Sequence, residues 1–272
     1  MQQIRFIEIT CFFVLLVSLF VPQLIQADLR ADLIAHWKLD EGKGDTIKDS
    51  ASRINGKIEG KVSWIEGKHG TALNFDKNGS GIVKVADDPK LNFGDDFSVV
   101  FWARTTQVRA QNDDWWNGGW IINKDLGGQE DVNDWDIANV NGHLVLITGN
   151  PETDKDDLLV STDPIADGKW HHYALSRVKE SGLNTIYVDG VKNISEEKGP
   201  DFHVSNQTAM TIGGHPGGTG SAFHGDLDDM AIFSRVITED EINTIIKGWA
   251  KSAVVERNGK LTIMWGQLKT KL

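Results

Sequence analysis

Cysteine is almost absent from this sequence. Cys11 is the only one among the 272 residues, and it lies in an apolar N-terminal segment. The chain from Asp28 onward can therefore form neither a disulfide nor a thiolate site, even in an oxidising compartment outside the cytosol, where disulfides are stable. The stability of this part must come from a hydrophobic core, with or without a metal ion.

The N-terminal apolar run is too short for a typical transmembrane helix. It extends from Cys11 to Val21, whereas a spanning helix needs about 20 residues. Arg5 precedes it, and Ile25-Gln26-Ala27 follows as a possible cleavage site. We expect residues 1–27 to be a signal peptide and the mature domain to be secreted, extracellular or periplasmic. An uncleaved N-terminal membrane anchor is the alternative.

The sequence also lacks an excess of basic residues. It has 28 Lys and Arg against 39 Asp and Glu, which gives a formal net charge of −11 at pH 7. Binding to phosphates needs clustered Lys and Arg. This composition argues against nucleic acid and against an anionic membrane surface as partners of the mature domain.

Familiar catalytic motifs are missing. No G-x-S-x-G, H-E-x-x-H or phosphate-binding glycine loop occurs. Glu152, Asp154 and Asp157 imitate the carboxylate spacing of some glycoside hydrolases, but they follow Gly149-Asn150-Pro151 and are interspersed with Thr and Lys. We interpret this segment as a solvated acidic loop, and we expect no catalytic residues and no enzymatic activity.

Helical periodicity is nearly absent, and short runs of alternating apolar and polar residues take its place. Such alternation predicts half-buried β-strands. Two pairs of runs are joined by Asn141-Gly142 and Asp189-Gly190, dipeptides that favour tight antiparallel hairpins. The predicted strands include 33–39, 97–104, 120–123, 135–140, 143–148, 170–177, 185–188 and 227–233.

One helix is predicted near the C-terminus. Thr238 and Glu241 form a capping box, and an apolar stripe follows at helical spacing. The stripe consists of Ile242, Ile245, Ile246 and Trp249. Residues 251–272 are predicted to form a separate C-terminal hairpin or tail around Asn258-Gly259.

A series of short motifs follows in order along the chain. They are Ile34-Ala-His-Trp-Lys-Leu-Asp-Glu-Gly-Lys-Gly44, Asp49-Ser50, Asn55-Gly56, Ala72-Leu-Asn-Phe75, Phe97-Ser-Val-Val-Phe-Trp-Ala-Arg104, Asp167-Gly-Lys-Trp-His-His-Tyr173, Ile186-Tyr-Val-Asp-Gly190, Ile212-Gly-Gly214 and Phe223-His-Gly-Asp-Leu-Asp-Asp-Met-Ala-Ile-Phe-Ser-Arg235. Together they resemble the laminin-G-like jellyroll family of concanavalin A-like lectin and glucanase domains. The resemblance extends from about Leu33 to Trp249, and we assign residues 28–250 to this domain. It implies an all-β fold of two antiparallel sheets with one short C-terminal helix, and roles that include sugar binding and protein adhesion.

Tryptophans are concentrated in one polar segment. Trp115, Trp116 and Trp120 lie close together, with Asp125 and Trp135 following. Exposed indole rings stack on sugars, and nearby carboxylates bond to sugar hydroxyls. These five residues are the candidate ligand-binding set. The alternative is that Trp120 begins a core strand and that the other two pin a loop onto the sandwich.

Calcium is the expected metal, in a structural role. The first and last strands of a jellyroll lie close together, which could bring the loop of Asp49 beside Asp228. Carboxylate and carbonyl oxygens are the ligands that Ca²⁺ prefers. The alternative is that Asp49 forms an Asx turn and that Asp228 binds backbone amides.

Taken together, these features predict an exported, non-catalytic binding or adhesion module. Its expected partner is a carbohydrate or a cell-surface or matrix protein. A glycan-active hydrolase and a purely structural adhesion domain are the alternatives, because a fold does not by itself determine a function.

Overall fold

The computed structural model describes residues 28–76, 81–92, 94–108, 117–125, 133–204, 207–215 and 222–249. The predicted signal peptide and the predicted C-terminal hairpin lie outside these residues. Within them the chain forms two antiparallel sheets and one short α-helix, as predicted.

Strands dominate the described chain from Leu33 onward, and the α-helix comes last. In chain order the elements are Leu33–Trp37 (β1), Thr46–Ile47 (β2), Gly56–Glu59 (β3), Val62–Glu66 (β4), Thr71–Phe75 (β5), Ile82–Val85 (β6), a 3₁₀ turn at Pro89–Leu91, Phe97–Arg104 (β7), Gly119–Asn123 (β8), Trp135–Val140 (β9), His143–Asn150 (β10), Lys155–Pro164 (β11), His171–Val178 (β12), Leu183–Val188 (β13), Val191–Glu197 (β14), Met210–Ile212 (β15), Gly225–Phe233 (β16) and Glu239–Ile246 (α1).

The described strands divide into two sheets, A and B. Sheet A has the order β14-β13-β12-β7-β16-β5-β4, with β1 also paired to β16. Sheet B has the order β11-β10-β9-β8-β15-β6-β3-β2. The pairing of β1 with β16 confirms that the first and last strands lie side by side.

The main hydrophobic core lies between the two sheets. Alternate residues of each strand point into it, as the period of two requires. On β7 these are Val99, Phe101 and Ala103, and on β9 they are Trp135 and Ile137. Removing this much apolar surface from water is the dominant source of stability for a chain without disulfides.

Local turn chemistry fixes the hairpins. Asn141 and Gly142 both have positive φ, 52° and 83°, between β9 and β10. Asp189 and Gly190 repeat this at 50° and 82° between β13 and β14. Both predicted hairpins are confirmed, and their two-residue turns set the register of the flanking strands.

The helix packs on the outer face of sheet A. Thr238 Oγ1 accepts a hydrogen bond from the Glu241 amide, and Glu241 accepts one from the Thr238 amide, so the capping box is confirmed. Ile242 and Ile245 pack with Phe233 in a second apolar cluster. The helix ends at Ile246, so Trp249 lies beyond it, with a φ of 52°. No helix in the described ranges combines the length and the apolar character needed to cross a membrane.

Candidate functional site

The outer face of sheet B carries a small apolar cluster and, beside it, buried aspartates. Because Trp135 and Ile137 point into the core, the alternate residues of β9 point outward. Ala138 packs there with Trp120 and Ile147 in an apolar cluster separate from the main core. Asp136 lies on the same face of β9, two residues before Ala138. We call this surface the sheet B face.

Three carboxylates converge at one end of the sheet B face. Oxygens of Asp125, Asp134 and Asp136 all lie within 4.8 Å of one another. Asp134 and Asp136 are buried, with 4% and 1% of their surface exposed. Among the described residues, this is the one group of three His, Cys, Asp or Glu side chains close enough to hold a metal ion.

Asp136 is the centre of this acidic triad. Its Oδ1 accepts hydrogen bonds from the Asn123 side chain, at 3.1 Å, and from the Lys124 amide, at 2.7 Å. Its Oδ2 is buried and makes no hydrogen bond to the part of the chain that the structure describes. Burial raises the pKa of Asp136 well above its usual range, and the neighbouring Asp134 and Asp125 raise it further. A divalent cation bound among the three carboxylates would offset both effects, because it would add positive charge beside them.

Lys124 lies beside the triad and is fully buried. Its Nζ donates to Asn92 Oδ1, at 2.8 Å, and to the Thr208 carbonyl, at 3.0 Å. Burial lowers the pKa of Lys124 to about 8, while Asp87 and Asp136 oppose that shift. A lysine held by an amide and a carbonyl stiffens this end of the sheet.

Of the five residues predicted to bind ligand, Trp120 and Asp125 lie on or beside the sheet B face. Trp120 is 3% exposed. It belongs to the outer cluster rather than to the core between the sheets. Trp135 points the other way and packs on Phe97, with 5.4 Å between ring centroids. Trp115 and Trp116 lie outside the described residues.

Asp134 and Asp136 are the site residues that sequence reasoning missed. The signal was present, because two aspartates flank Trp135 at a spacing of two within an alternating run. That spacing puts both carboxylates on the face opposite the indole. A search based on the tryptophan alone misses these two aspartates.

The two predicted calcium ligands lie elsewhere, near the pairing of β1 with β16. Asp49 is an acceptor for four backbone amides, those of His36, Ala51, Ser52 and Ile54, at 2.7–2.9 Å. This is the Asx-type arrangement that is the alternative to metal binding.

Asp228 is fully buried on the outer face of sheet A. Its Oδ2 accepts from the amides of His69, at 2.9 Å, and Lys68, while Oδ1 has no hydrogen-bond partner within the described ranges. Burial raises its pKa to about 7, and Asp229 adds to that shift.

The acidic segment with hydrolase-like spacing is split between a turn and an edge strand. Glu152 and Asp154 are exposed in the turn before β11. Asp157 lies on β11, at the edge of sheet B, and accepts from Asn150 Nδ2 at 2.8 Å. The segment does not line a cleft in the centre of either sheet.

A family model for the concanavalin A-like lectin/glucanases superfamily matches residues 77–243, more than half of the chain. The chain belongs to this superfamily. Its two antiparallel sheets are consistent with a concanavalin A-like sandwich. No curated protein sequence matches the chain.

Solved structures share this fold at low sequence identity. The binding domain of Paraclostridial Mosquitocidal Protein 1 matches with a TM-score of 0.62 and 20% identity over 82% of this chain and 53% of that one. Domain 4 of AbnA, a GH43 extracellular arabinanase from Geobacillus stearothermophilus solved with arabinotriose, matches with a TM-score of 0.57 and 19% identity over 79% and 98%. The binding domain of botulinum neurotoxin DC in complex with SialylT matches with a TM-score of 0.57 and 16% identity over 81% and 52%.

This chain spans about half the length of the toxin binding domains and almost all of the arabinanase domain. At these identities the likeness establishes the fold alone.

Proposed function

We propose that this chain is an exported, non-catalytic module that binds carbohydrate at the edge of the sheet B face marked by Asp125, the part-exposed member of the acidic triad, with calcium held by the triad. The convergence of Asp125, Asp134 and Asp136 is the observation that carries the proposal. Neighbouring buried carboxylates repel one another, and either protonation or a bound cation relieves the repulsion. A calcium ion held by three aspartates keeps open coordination positions that sugar hydroxyls can fill, since Ca²⁺ takes 6–8 oxygen ligands.

Relatives in fold support a binding role. The arabinanase domain, which this chain matches almost end to end, was solved with arabinotriose, and the toxin structures are of binding domains. A botulinum neurotoxin DC binding domain was solved with rat synaptotagmin II, so a surface protein is the second class of partner for the proposed module. The predicted signal peptide at residues 1–27 supports export.

The test is a titration of intrinsic tryptophan fluorescence with arabinotriose and with a sialylated oligosaccharide, in Ca²⁺ and in chelator. We expect a saturable change in Ca²⁺ with at least one glycan and none in chelator. Asp134→Asn should abolish it. Asp154→Asn, which removes the same charge from an exposed turn, should not. A flat titration with a wide glycan panel would favour the purely structural adhesion domain.

The hydrolase alternative has one observation in its favour. Asp134 and Asp136 lie at period-two spacing beside β9, as paired catalytic carboxylates do in some sandwich enzymes. Their nearest oxygens are within 4.8 Å, whereas glycosidase carboxyl groups are about 5–9.5 Å apart. The next residue on that face is Ala138 rather than an acid. Glycan turnover by the wild type that disappears in Asp136→Asn would establish the alternative in place of the binding module.

A further inference from the structure

A separate cavity lies on the outer face of sheet A, on the opposite side of the sandwich from the triad. Its volume is about 650 Å³, within the range of sites for small ligands. His36 of β1 and Asp229 of β16 line it, and Trp249, after α1, forms a wall. The residues before β1 border it on another side. It shares no lining residue with the sheet B face.

The cavity has a fixed inner surface. Asp229 accepts from His36 Nε2, at 2.6 Å, and from Trp249 Nε1, at 2.8 Å. The imidazole of His36 stacks on the indole with 4.1 Å between ring centroids. Asp229 has a φ of 47° where β16 changes register against β7. Such a strained backbone is found where a side chain must be aimed in one direction.

The carboxylates of this cavity already have partners. Asp229 is held by His36 and Trp249. Asp40 Oδ1 accepts from the Thr71 amide at 3.2 Å. The acidic groups that line the cavity are therefore largely committed to the fold.

The uncommitted groups of the cavity are donors. Arg30 and Lys38 line it, and among the described residues neither side chain forms an ion pair. His69 also lines it, with its ring edge-on to Trp102 and 5.8 Å between ring centroids. Two cationic side chains without ion-pair partners in the described part of the chain therefore line one cavity. They are suited to a ligand that brings acceptor oxygens with negative charge.

We propose that this cavity is a second binding site, specific for a carboxylate-bearing sugar such as a uronic acid. The ligand class rests on the proposed carbohydrate-binding function, whereas the place and the charge preference rest on the cavity alone. Arg30 and Lys38 hold the carboxylate, and Trp249 bounds one side of the ring. The two faces of the sandwich thus select opposite charges, a cation on sheet B and an anion on sheet A.

The experiment is calorimetric titration of the chain with trigalacturonate and with its methyl ester, which keeps the rings and removes the charge. We expect trigalacturonate to bind at least tenfold more tightly than the ester. The double variant Arg30→Gln/Lys38→Gln should weaken trigalacturonate binding at least tenfold. Both side chains are exposed, so the fold should be unaffected. The matched control Lys43→Gln/Lys61→Gln changes net charge equally and should leave binding within twofold of wild type.

Three outcomes would overturn the proposal: no binding of trigalacturonate, equal binding of the ester, or equal losses in the two double variants. The variant Asp136→Asn separates this site from the proposed function. If trigalacturonate binding is lost in Asp136→Asn and kept in Arg30→Gln/Lys38→Gln, the ligand occupies the sheet B face and the cavity is not its site. If binding survives Asp136→Asn and fails in Arg30→Gln/Lys38→Gln, the cavity holds it, whatever becomes of the triad.

Discussion

The outer faces of the two sheets both carry aspartate and tryptophan, but they differ in how closely the carboxylates are grouped. On sheet A, Asp228 accepts from backbone amides, and Asp229 accepts from His36 and Trp249. On sheet B, three carboxylates meet within 4.8 Å. Carboxyl groups this close raise one another's pKa, and the repulsion between them is relieved when one is protonated or when a cation binds. The difference directs the search for a metal to sheet B.

The largest effect should come from the indoles that cover the two faces. Trp120 is almost fully buried on the sheet B face, so Trp120→Ala should lower the free energy of unfolding by roughly 3–5 kcal/mol. Trp249 is half-buried on sheet A, so Trp249→Ala should cost less. Urea denaturation of both variants measures the difference. An equal loss would mean that the two faces are equally part of the folded core.

The second prediction concerns Trp115 and Trp116, which precede β8 in the sequence. If they are a stacking platform, each change to Ala should cost little stability and about 1–3 kcal/mol of glycan binding. Fluorescence titration and thermal melts of both variants separate the two properties. The platform is wrong if each change lowers the melting temperature by more than about 8 °C and leaves binding intact.

Calcium should stabilise the chain through the triad. At a tenfold excess over Kd the gain is about 1.4 kcal/mol, read as a shift of the melting temperature between chelator and Ca²⁺. Asp136→Asn should abolish this shift. It should also make the calcium-free protein more stable at alkaline pH, where the buried carboxyl of Asp136 would have to ionise beside Asp134 and Asp125. Asp228→Asn should keep the calcium response. If the response is lost in Asp228→Asn and kept in Asp136→Asn, the calcium site lies on sheet A instead.

A smaller effect is expected from the pH dependence of sheet A. Burial raises the pKa of Asp228 to about 7, above the roughly 3.9 of an unfolded chain. The native state therefore binds the extra proton, and this carboxyl adds stability as pH falls from 8 towards 4. Asp228→Asn cannot titrate, so it should be about 1–2 kcal/mol more stable than wild type at pH 8 and lose that advantage near pH 5.

Chemical denaturation across this pH range, in saturating Ca²⁺ to suppress the contribution of Asp136, measures the difference. Asp226→Asn is the control, since its carboxylate is paired with Arg104 on the neighbouring strand. Parallel pH profiles for wild type and Asp228→Asn would contradict the prediction.

The sequence was sufficient for those features of the fold that short segments determine. The hairpins at Asn141-Gly142 and Asp189-Gly190 and the cap at Thr238 depend on a few adjacent residues, and all are confirmed. The charged residues at the start of β11 predict a solvated loop rather than the edge strand that they form, because charged residues are typical of solvent-exposed segments. Charge on an edge strand is how a sheet avoids pairing with other chains, so composition alone misleads there.

The candidate site was less predictable because it depends on which strands become neighbours. Asp125 meets Asp134 and Asp136 only through the pairing of β8 with β9, which includes a change of register after Trp120. Asp228 finds its amide partner 159 positions earlier in the chain. Neither contact leaves a local pattern in the sequence. Only the alternation around Trp135 carried usable information about the triad.

The smallest effect should come from the helix that covers sheet A. Thr238→Ala removes the hydroxyl that accepts from the Glu241 amide and should cost about 1 kcal/mol. Thr238→Ser keeps the cap and should be nearly neutral. Because α1 packs through Ile242 and Ile245 on sheet A, the loss should accompany a change in the fluorescence of Trp249, which follows the helix, and leave the calcium shift on sheet B unaltered. A calcium shift that changed with Thr238→Ala would show that the two faces are coupled. Sheet A could then not be treated as independent of the cation that sheet B is proposed to bind.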